Sequence, residues 1–253
     1  VFSIIQTLGI KGGLLVLEKL AGGIVVSCQA KAGTALDDPY ILSQLAKAAE
    51  DGGAVGIRAS LPRNIRAIKS KVSIPVIGIY KQEYPDSPVY ITPTFKEAKE
   101  VIDAGADIIA IDATLRKRPN GQDLAELVQQ IRSYKDIPIM ADISTFEEAK
   151  AASELGFDLV ATTLLGYTEE TRDRSAPDME LVQRIASEIS TPLIVEGRIK
   201  SPEIAALAIA SGAFAVVVGT AITDITWVTE QYVEQINVAL RDKHSGGRWA
   251  KHE

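Results

Sequence analysis

The chain has 253 residues, 46% of them apolar and 24% charged, which is the balance of an ordinary soluble protein and enough length for one α/β barrel of roughly 250 residues. A formal net charge of −6 with no long basic run argues against nucleic acid as the main partner. A lone cysteine, Cys28, excludes an internal disulfide and fits a reducing cytoplasm; no apolar run is long enough to span a bilayer, and the two histidines, His244 and His252, both lie in the tail, which argues against a histidine mechanism or a metal site.

The opening run Val1 to Ile5 is soon interrupted by Gln6 and Lys11 and lacks the pattern of a signal peptide. A short helix is expected over residues 13–20 and a first strand over 24–29. Asp37-Asp38-Pro39 reads as a helix start, with an acidic cap and a proline in the first turn, and Gly52-Gly53 stops that helix. The second strand covers 54–58, and Pro62 opens the next helix. The third strand, 75–81, is an apolar run entered through Pro75 and ending on Lys81. Desolvating an ammonium is costly, so Lys81 belongs at the rim, where α/β proteins keep their chemistry. It is the candidate catalytic acid/base; the bland alternative is a rim lysine paired with a carboxylate. The loop 82–93 is long and holds three prolines. Its Tyr84 and Tyr90 either close over a ligand or belong to a rigid surface connection.

A helix over 95–104, a strand over 108–112, a helix over 123–133 and a strand over 138–142 follow. Ser144 or Thr145 caps the next helix. Strands are then expected at 159–163, 193–196 and 215–218, with a polar loop over 164–178, a helix opening near Pro202 and a last helix over 225–241. Trp227, Tyr232 and Val233 on that last helix are expected to pack on the barrel, a homodimer being their other use. The polar tail, 244–253, with Gly246-Gly247, is expected to be loose. Gly105-Ala106, Gly156-Phe157 and Gly212-Ala213 each end a helix ahead of a strand. Eight strand–helix units without a linker predict a (β/α)₈ TIM barrel with a short N-terminal helix. It is read as a single domain over 1–253, with the barrel at about 22–241.

Residues at the carboxyl ends of these strands form the candidate site: Ser27, Cys28 and Gln29; Arg58; Lys81; Asp112; Asp142; Thr162 and Thr163; Glu196, Gly197 and Arg198; Gly219 and Thr220. The loops after strands seven and eight carry Glu196-Gly197-Arg198 and Gly219-Thr220-Ala221. Glycines there let backbone N–H groups approach a phosphate, and Arg198 adds charge-assisted hydrogen bonds. A phosphate end together with a lysine and carboxylates fits a phosphosugar with lysine-driven proton chemistry; a Schiff base is the rival use of the same lysine.

Several segments carry a resemblance. They are Ser27-Cys28-Gln29-Ala30, Gly53 to Ala59, Pro75 to Lys81, Tyr90-Ile91-Thr92-Pro93-Thr94, Ala110-Ile111-Asp112-Ala113-Thr114, Ala141-Asp142-Ile143-Ser144-Thr145, Thr162-Thr163-Leu164, Glu196-Gly197-Arg198-Ile199 and Val218 to Thr223. Together they resemble the N-acetylmannosamine-6-phosphate 2-epimerase family, in register from about Gly22 to Thr223. The resemblance implies a barrel enzyme that needs no organic cofactor. It would interconvert N-acetylmannosamine 6-phosphate and N-acetylglucosamine 6-phosphate during sialic acid use. It implies that Lys81 matches the catalytic lysine and Glu196 its partner carboxylate, while Gln29, Arg58 and Asp142 match substrate contacts, with Thr163 beside them. One departure stands out: the family often has Thr-Arg-Pro after the eighth strand, whereas this chain has Thr223-Asp224-Ile225. Two rivals are another phosphosugar barrel enzyme (a lyase, decarboxylase or aldolase) and a non-catalytic phosphosugar-binding protein. Decarboxylase relatives carry Asp-x-Lys-x-x-Asp on one strand, and the nearest stretch, Asp112-Ala113-Thr114-Leu115-Arg116, lacks the lysine.

Overall fold

A computed structural model describes residues 13–174 and 177–245. Eight strands, β1 (Ile24–Cys28), β2 (Gly56–Ser60), β3 (Val76–Ile79), β4 (Ile108–Asp112), β5 (Ile139–Asp142), β6 (Leu159–Ala161), β7 (Leu193–Glu196) and β8 (Ala215–Val218), pair in sequence order, and β8 returns to β1. Every pairing is parallel, so the sheet is a closed barrel without an edge. The wall helices are α2 (Pro39–Asp51), α3 (Pro62–Lys69), α4 (Phe95–Asp103), α5 (Leu124–Tyr134), α6 (Phe146–Glu154), α7 (Met179–Glu188) and α8 (Pro202–Ala210). α1 (Gly13–Glu18) precedes the barrel, and α9 (Thr220–Thr223) and α10 (Ile225–Ser245) follow β8. Among the described residues no helix is long and apolar enough to cross a membrane.

Local chemistry explains the helix starts. Asp38 accepts from the N–H groups of Tyr40 and Ile41 ahead of Pro39. Thr94 and Thr145 form capping boxes with Glu97 and Glu148, which assigns the cap of α6 to Thr145. Gly105, Gly156 and Gly212 take positive φ just beyond α4, α6 and α8.

The period-two pleat of each strand sorts its residues into two cores. Val26, Ile57, Val76, Ile109, Ile139, Val160, Val195 and Val216 join the core between barrel and helices. Val25, Ile77, Ile79, Ile108, Ala110, Met140, Leu159, Ala161, Ile194, Ala215 and Val217 fill the barrel. Two residues further along each inward row the chain turns polar. Ile79 leads to Lys81, Ala110 to Asp112, Met140 to Asp142, Ala161 to Thr163, Ile194 to Glu196, and Val25 to Ser27. Arg58, between outward Ile57 and Ala59, belongs to the same row. The carboxyl end of the interior is therefore a polar layer resting on an apolar plug.

Several expectations change. β3 ends at Ile79, and Lys81 stands on an antiparallel bridge to Ile91. The Thr92 N–H donates to Tyr80 O (2.7 Å) and the Gln82 N–H to Tyr90 O (2.9 Å), so a returning segment holds the lysine on both sides. In the loop that follows the two tyrosines part: Tyr84 donates its hydroxyl to Glu97 (2.9 Å), while Tyr90 lines the cavity at the barrel mouth. Cys28 points outward into the strand–helix core, where burial pushes its thiol up to about 12. Finally, Tyr232 (70% exposed) and Val233 (51% exposed) do not pack on the barrel. α10 runs to Ser245, four residues past the expected end, and the tail expected to be loose lies beyond that point outside the described residues, as does Val1 to Ile5.

Gly78 shows how tightly the wall packs. A Cβ there would sit 2.6 Å from Val101 Cγ1 and 2.7 Å from Ala106 Cβ. Gly78→Ala is expected to lower the unfolding free energy by about 1–3 kcal/mol through overpacking, measurable by urea titration.

Candidate active site

The polar layer opens into a cavity of about 460 Å³ lined by Ser27, Gln29, Arg58, Lys81, Thr163, Glu196, Gly197, Arg198, Gly219 and Thr220. Of the candidate site residues named from the sequence, Cys28, Asp112, Asp142 and Thr162 do not line this wall; Asp142 stands fully buried behind Arg58.

Arg58 is the centre of the cluster. Its side chain is 1% exposed. Nη2 donates to Asp142 Oδ2 (2.6 Å), while Nη1 donates to Asp142 Oδ1 (3.0 Å) and to Glu196 Oε2 (2.5 Å). The Thr163 hydroxyl lies 2.6 Å from Asp142 Oδ1 and 3.2 Å from Glu196 Oε2, able to donate to either. Thr162 fastens the end of β7, donating to Glu196 O (2.9 Å) and accepting from the Glu196 N–H (3.0 Å). A fork-on-fork pair with both partners buried is geometrically strict, so these strand ends hold one another in place.

Charge follows from that geometry. Burial disfavours the Arg58 cation, but Asp142 and then Glu196 outweigh it and hold the guanidinium pKa above its ordinary value. Asp142 takes the bidentate face, so Glu196 faces a cation already neutralised. Burial, with the nearby Asp142 carboxylate, pushes Glu196 up to about 7 against the pull of Arg58, Thr163 and Lys81. Lys81 moves the other way. Burial and then Arg58 lower its pKa, and Glu196 and Asp142 only partly oppose them. Lys81 is itself exposed to solvent through the open cavity that it lines. Amine and carboxyl thus shift toward their neutral forms in the same cavity.

Gln29 donates Nε2 to Ser27 (2.8 Å), and its buried Oε1 has no partner among the described residues, which leaves an acceptor at the cavity wall. At the other end, Gly219 lies so close to β1 that a Cβ would come within 3.2 Å of Ser27 Cβ. Arg198 adopts a left-handed φ of +56° and donates to Leu165 O (2.7 Å) and Gly166 O (2.9 Å), its guanidinium 4.3 Å over the Tyr167 ring. A side chain at Gly166 would collide with it, since a Cβ there falls 2.1 Å from Arg198 Nη1. Asp112, named among the rim groups, is instead tied to Thr114 and Arg116 and does not line the cavity.

Among the lining residues that the sequence reading left out are Tyr167, Lys200, Asp224 and Trp227. Lys200 had a legible signal, lying four residues past Glu196 in a loop already marked for phosphate. Tyr167 and Trp227 reach the cavity from long-range packing that no local pattern encodes.

A family model described as "Putative N-acetylmannosamine-6-phosphate epimerase" matches residues 42–238. A relative in Caldanaerobacter subterraneus, described as "Putative N-acetylmannosamine-6-phosphate 2-epimerase", is 51% identical over 219 residues, covering 86% of this chain and 92% of that one. A relative of the same description in Enterobacter is 48% identical over 231 residues, covering 90% and 98%. Among solved structures, the N-acetylmannosamine-6-phosphate 2-epimerase from Clostridium perfringens is 42% identical with a TM-score of 0.84, over 86% of this chain and 95% of that one. Thiamine phosphate pyrophosphorylase from Pyrococcus furiosus shares only the fold, at 15% identity and a TM-score of 0.55. With the family model matching residues 42–238 and these relatives covering most of its length, the chain belongs to the N-acetylmannosamine-6-phosphate epimerase family.

Proposed function

We infer that this chain interconverts N-acetylmannosamine 6-phosphate and N-acetylglucosamine 6-phosphate by moving a proton at C2. The observation that carries the reading is Lys81. Its amine is biased toward the neutral form by burial and Arg58, makes no hydrogen bond or ion pair among the described residues, and shares a cavity with Glu196.

Inverting C2 means breaking a C–H bond beside the aldehyde of the open-chain sugar, and the carbanion survives only as an enolate. Neutral Lys81 takes the C2 proton and returns one to the opposite face. Glu196 opens the ring by handling the O1 proton, or shares the C2 step; a carboxyl with a pKa of about 7 can give or take a proton near neutrality. Arg58, Gln29 and Thr163 hold the N-acetyl and hydroxyl groups, with Asp142 fixing the guanidinium. The turns at Gly197-Arg198 and Gly219-Thr220 hold the phosphate and set its distance from C2. No step calls for an organic cofactor. The lone, buried thiol suits the cytoplasm, where such a sugar phosphate would be met.

A homodimer belongs to the same reading. Tyr232, Val233 and Ile236 (58% exposed) leave α10 with an apolar face in water, and Leu207 on α8 is exposed as well. Burying both against a second copy is the use these faces fit.

Lys81→Ala is expected to lower kcat by about 10²–10⁴ while leaving the thermal midpoint nearly unchanged. The assay is deuterium incorporation at C2 of N-acetylmannosamine 6-phosphate in deuterated water, followed by NMR; undiminished exchange in the variant defeats the reading. Borohydride with substrate should trap nothing on Lys81, whereas a trapped adduct points to Schiff-base chemistry. Glu196 binds its proton more tightly folded than unfolded, so its contribution to stability is complete below pH about 4.5 and is lost as pH rises through about 7. The stability difference between wild type and Glu196→Gln should therefore fall by about 3 kcal/mol across that window, read by urea titration at several pH values. Sedimentation should give a dimer that Tyr232→Glu with Ile236→Glu converts to monomer.

A further inference from the structure

The phosphate end of the cavity has an uneven charge inventory. Three charged side chains line it: Arg198, Lys200 and Asp224. Arg198 is committed, with its guanidinium given to two backbone carbonyls and stacked on Tyr167. Asp224 is committed too, since its carboxylate accepts from the Trp227 N–H (3.0 Å) and caps the first turn of α10. Its charge, standing at the cavity wall, works against any anion bound there. Lys200 differs from both. Among the described residues no hydrogen bond or ion pair engages its ammonium, and its backbone is fixed between buried Ile199 and Ser201, the N-cap of α8. The stem is anchored and the cationic head is free to follow a ligand.

We propose that Lys200 is the ionic partner of the ligand's phosphate and the residue that makes this cavity prefer phosphorylated over unphosphorylated amino sugars. The inference rests on the phosphosugar reading of the cavity. Arg198 shapes the wall and keeps Tyr167 at the mouth, offering its remaining N–H groups from a fixed position. Lys200 brings the charge that offsets Asp224 and meets a phosphate dianion.

Two opposed variants test it. Lys200→Gln removes the charge from an exposed side chain and should raise KM for N-acetylmannosamine 6-phosphate by about 10- to 100-fold, the loss of one charge-assisted hydrogen bond. kcat should stay within about threefold, and kcat/KM for unphosphorylated N-acetylmannosamine should not change. Asp224→Asn keeps the helix cap, because Asn caps as well as Asp, but removes the opposing charge and should lower KM. Binding of inorganic phosphate, titrated by calorimetry without turnover, should weaken in Lys200→Gln, tighten in Asp224→Asn and recover in Lys200→Arg. If Lys200→Gln leaves both KM and phosphate binding within twofold of wild type, the proposal is overturned, whereas a wild type that binds phosphate through Lys200 but does not epimerise overturns the catalytic reading instead.

Discussion

A guanidinium shared between two carboxylates inside a closed sheet is the constraint on which the site depends. Arg58 cannot leave its place without stranding Asp142, which has no exposed surface, and Asp142 cannot leave without stranding a buried cation. Their bidentate contact locks β2 to β5 across the barrel, and Thr163 and Glu196 bring in β6 and β7. The same contact sets the acid–base character of the site. With Asp142 already balancing Arg58, a second negative charge at Glu196 gains little and loses its hydration, so the proton stays on to about pH 7. Burial first, and then the same cation, push Lys81 toward the free amine. One buried pair therefore acts on both the amine and the carboxyl of the cavity.

Much of this was legible in the sequence because a barrel strand obeys a period of two. Most inward rows run apolar and then carry one polar group at or just past the strand end, and those groups recur as Lys81, Asp142, Thr163 and Glu196. Pattern alone located the row. It did not sort the row into partners. Asp142 reads on the page as a ligand contact like its neighbours, yet it stands behind Arg58, because pairing across a barrel joins residues 84 positions apart. Cys28 reads as a rim group because it sits between Ser27 and Gln29, and the pleat sends it the other way. Asp112 shares the inward row but is consumed locally by Thr114 and Arg116.

The last helix was misread for a different reason. Its apolar residues recur at helical spacing, and the ordinary use of such a stripe is to cover the barrel. Geometry prevents that here. α10 starts at Ile225 directly after α9 and a cap at Asp224, and it leaves the barrel with Tyr232, Val233 and Ile236 in solvent. Periodicity reports that a face is apolar but not what it meets. The same departure puts Trp227, in the first turn of that helix, on the cavity wall.

The contact between Gly166 and Arg198 has a bearing on how the family's sequences can drift. The guanidinium fills the space that any side chain at residue 166 would need, and the left-handed φ of +78° there already disfavours one. Losing the arginine would not open the position, because the backbone carbonyl of Arg174 also stands 2.5 Å from where a Cβ would sit. Residue 166 therefore stays glycine whatever residue 198 becomes, and of the two positions the arginine is the freer to diverge.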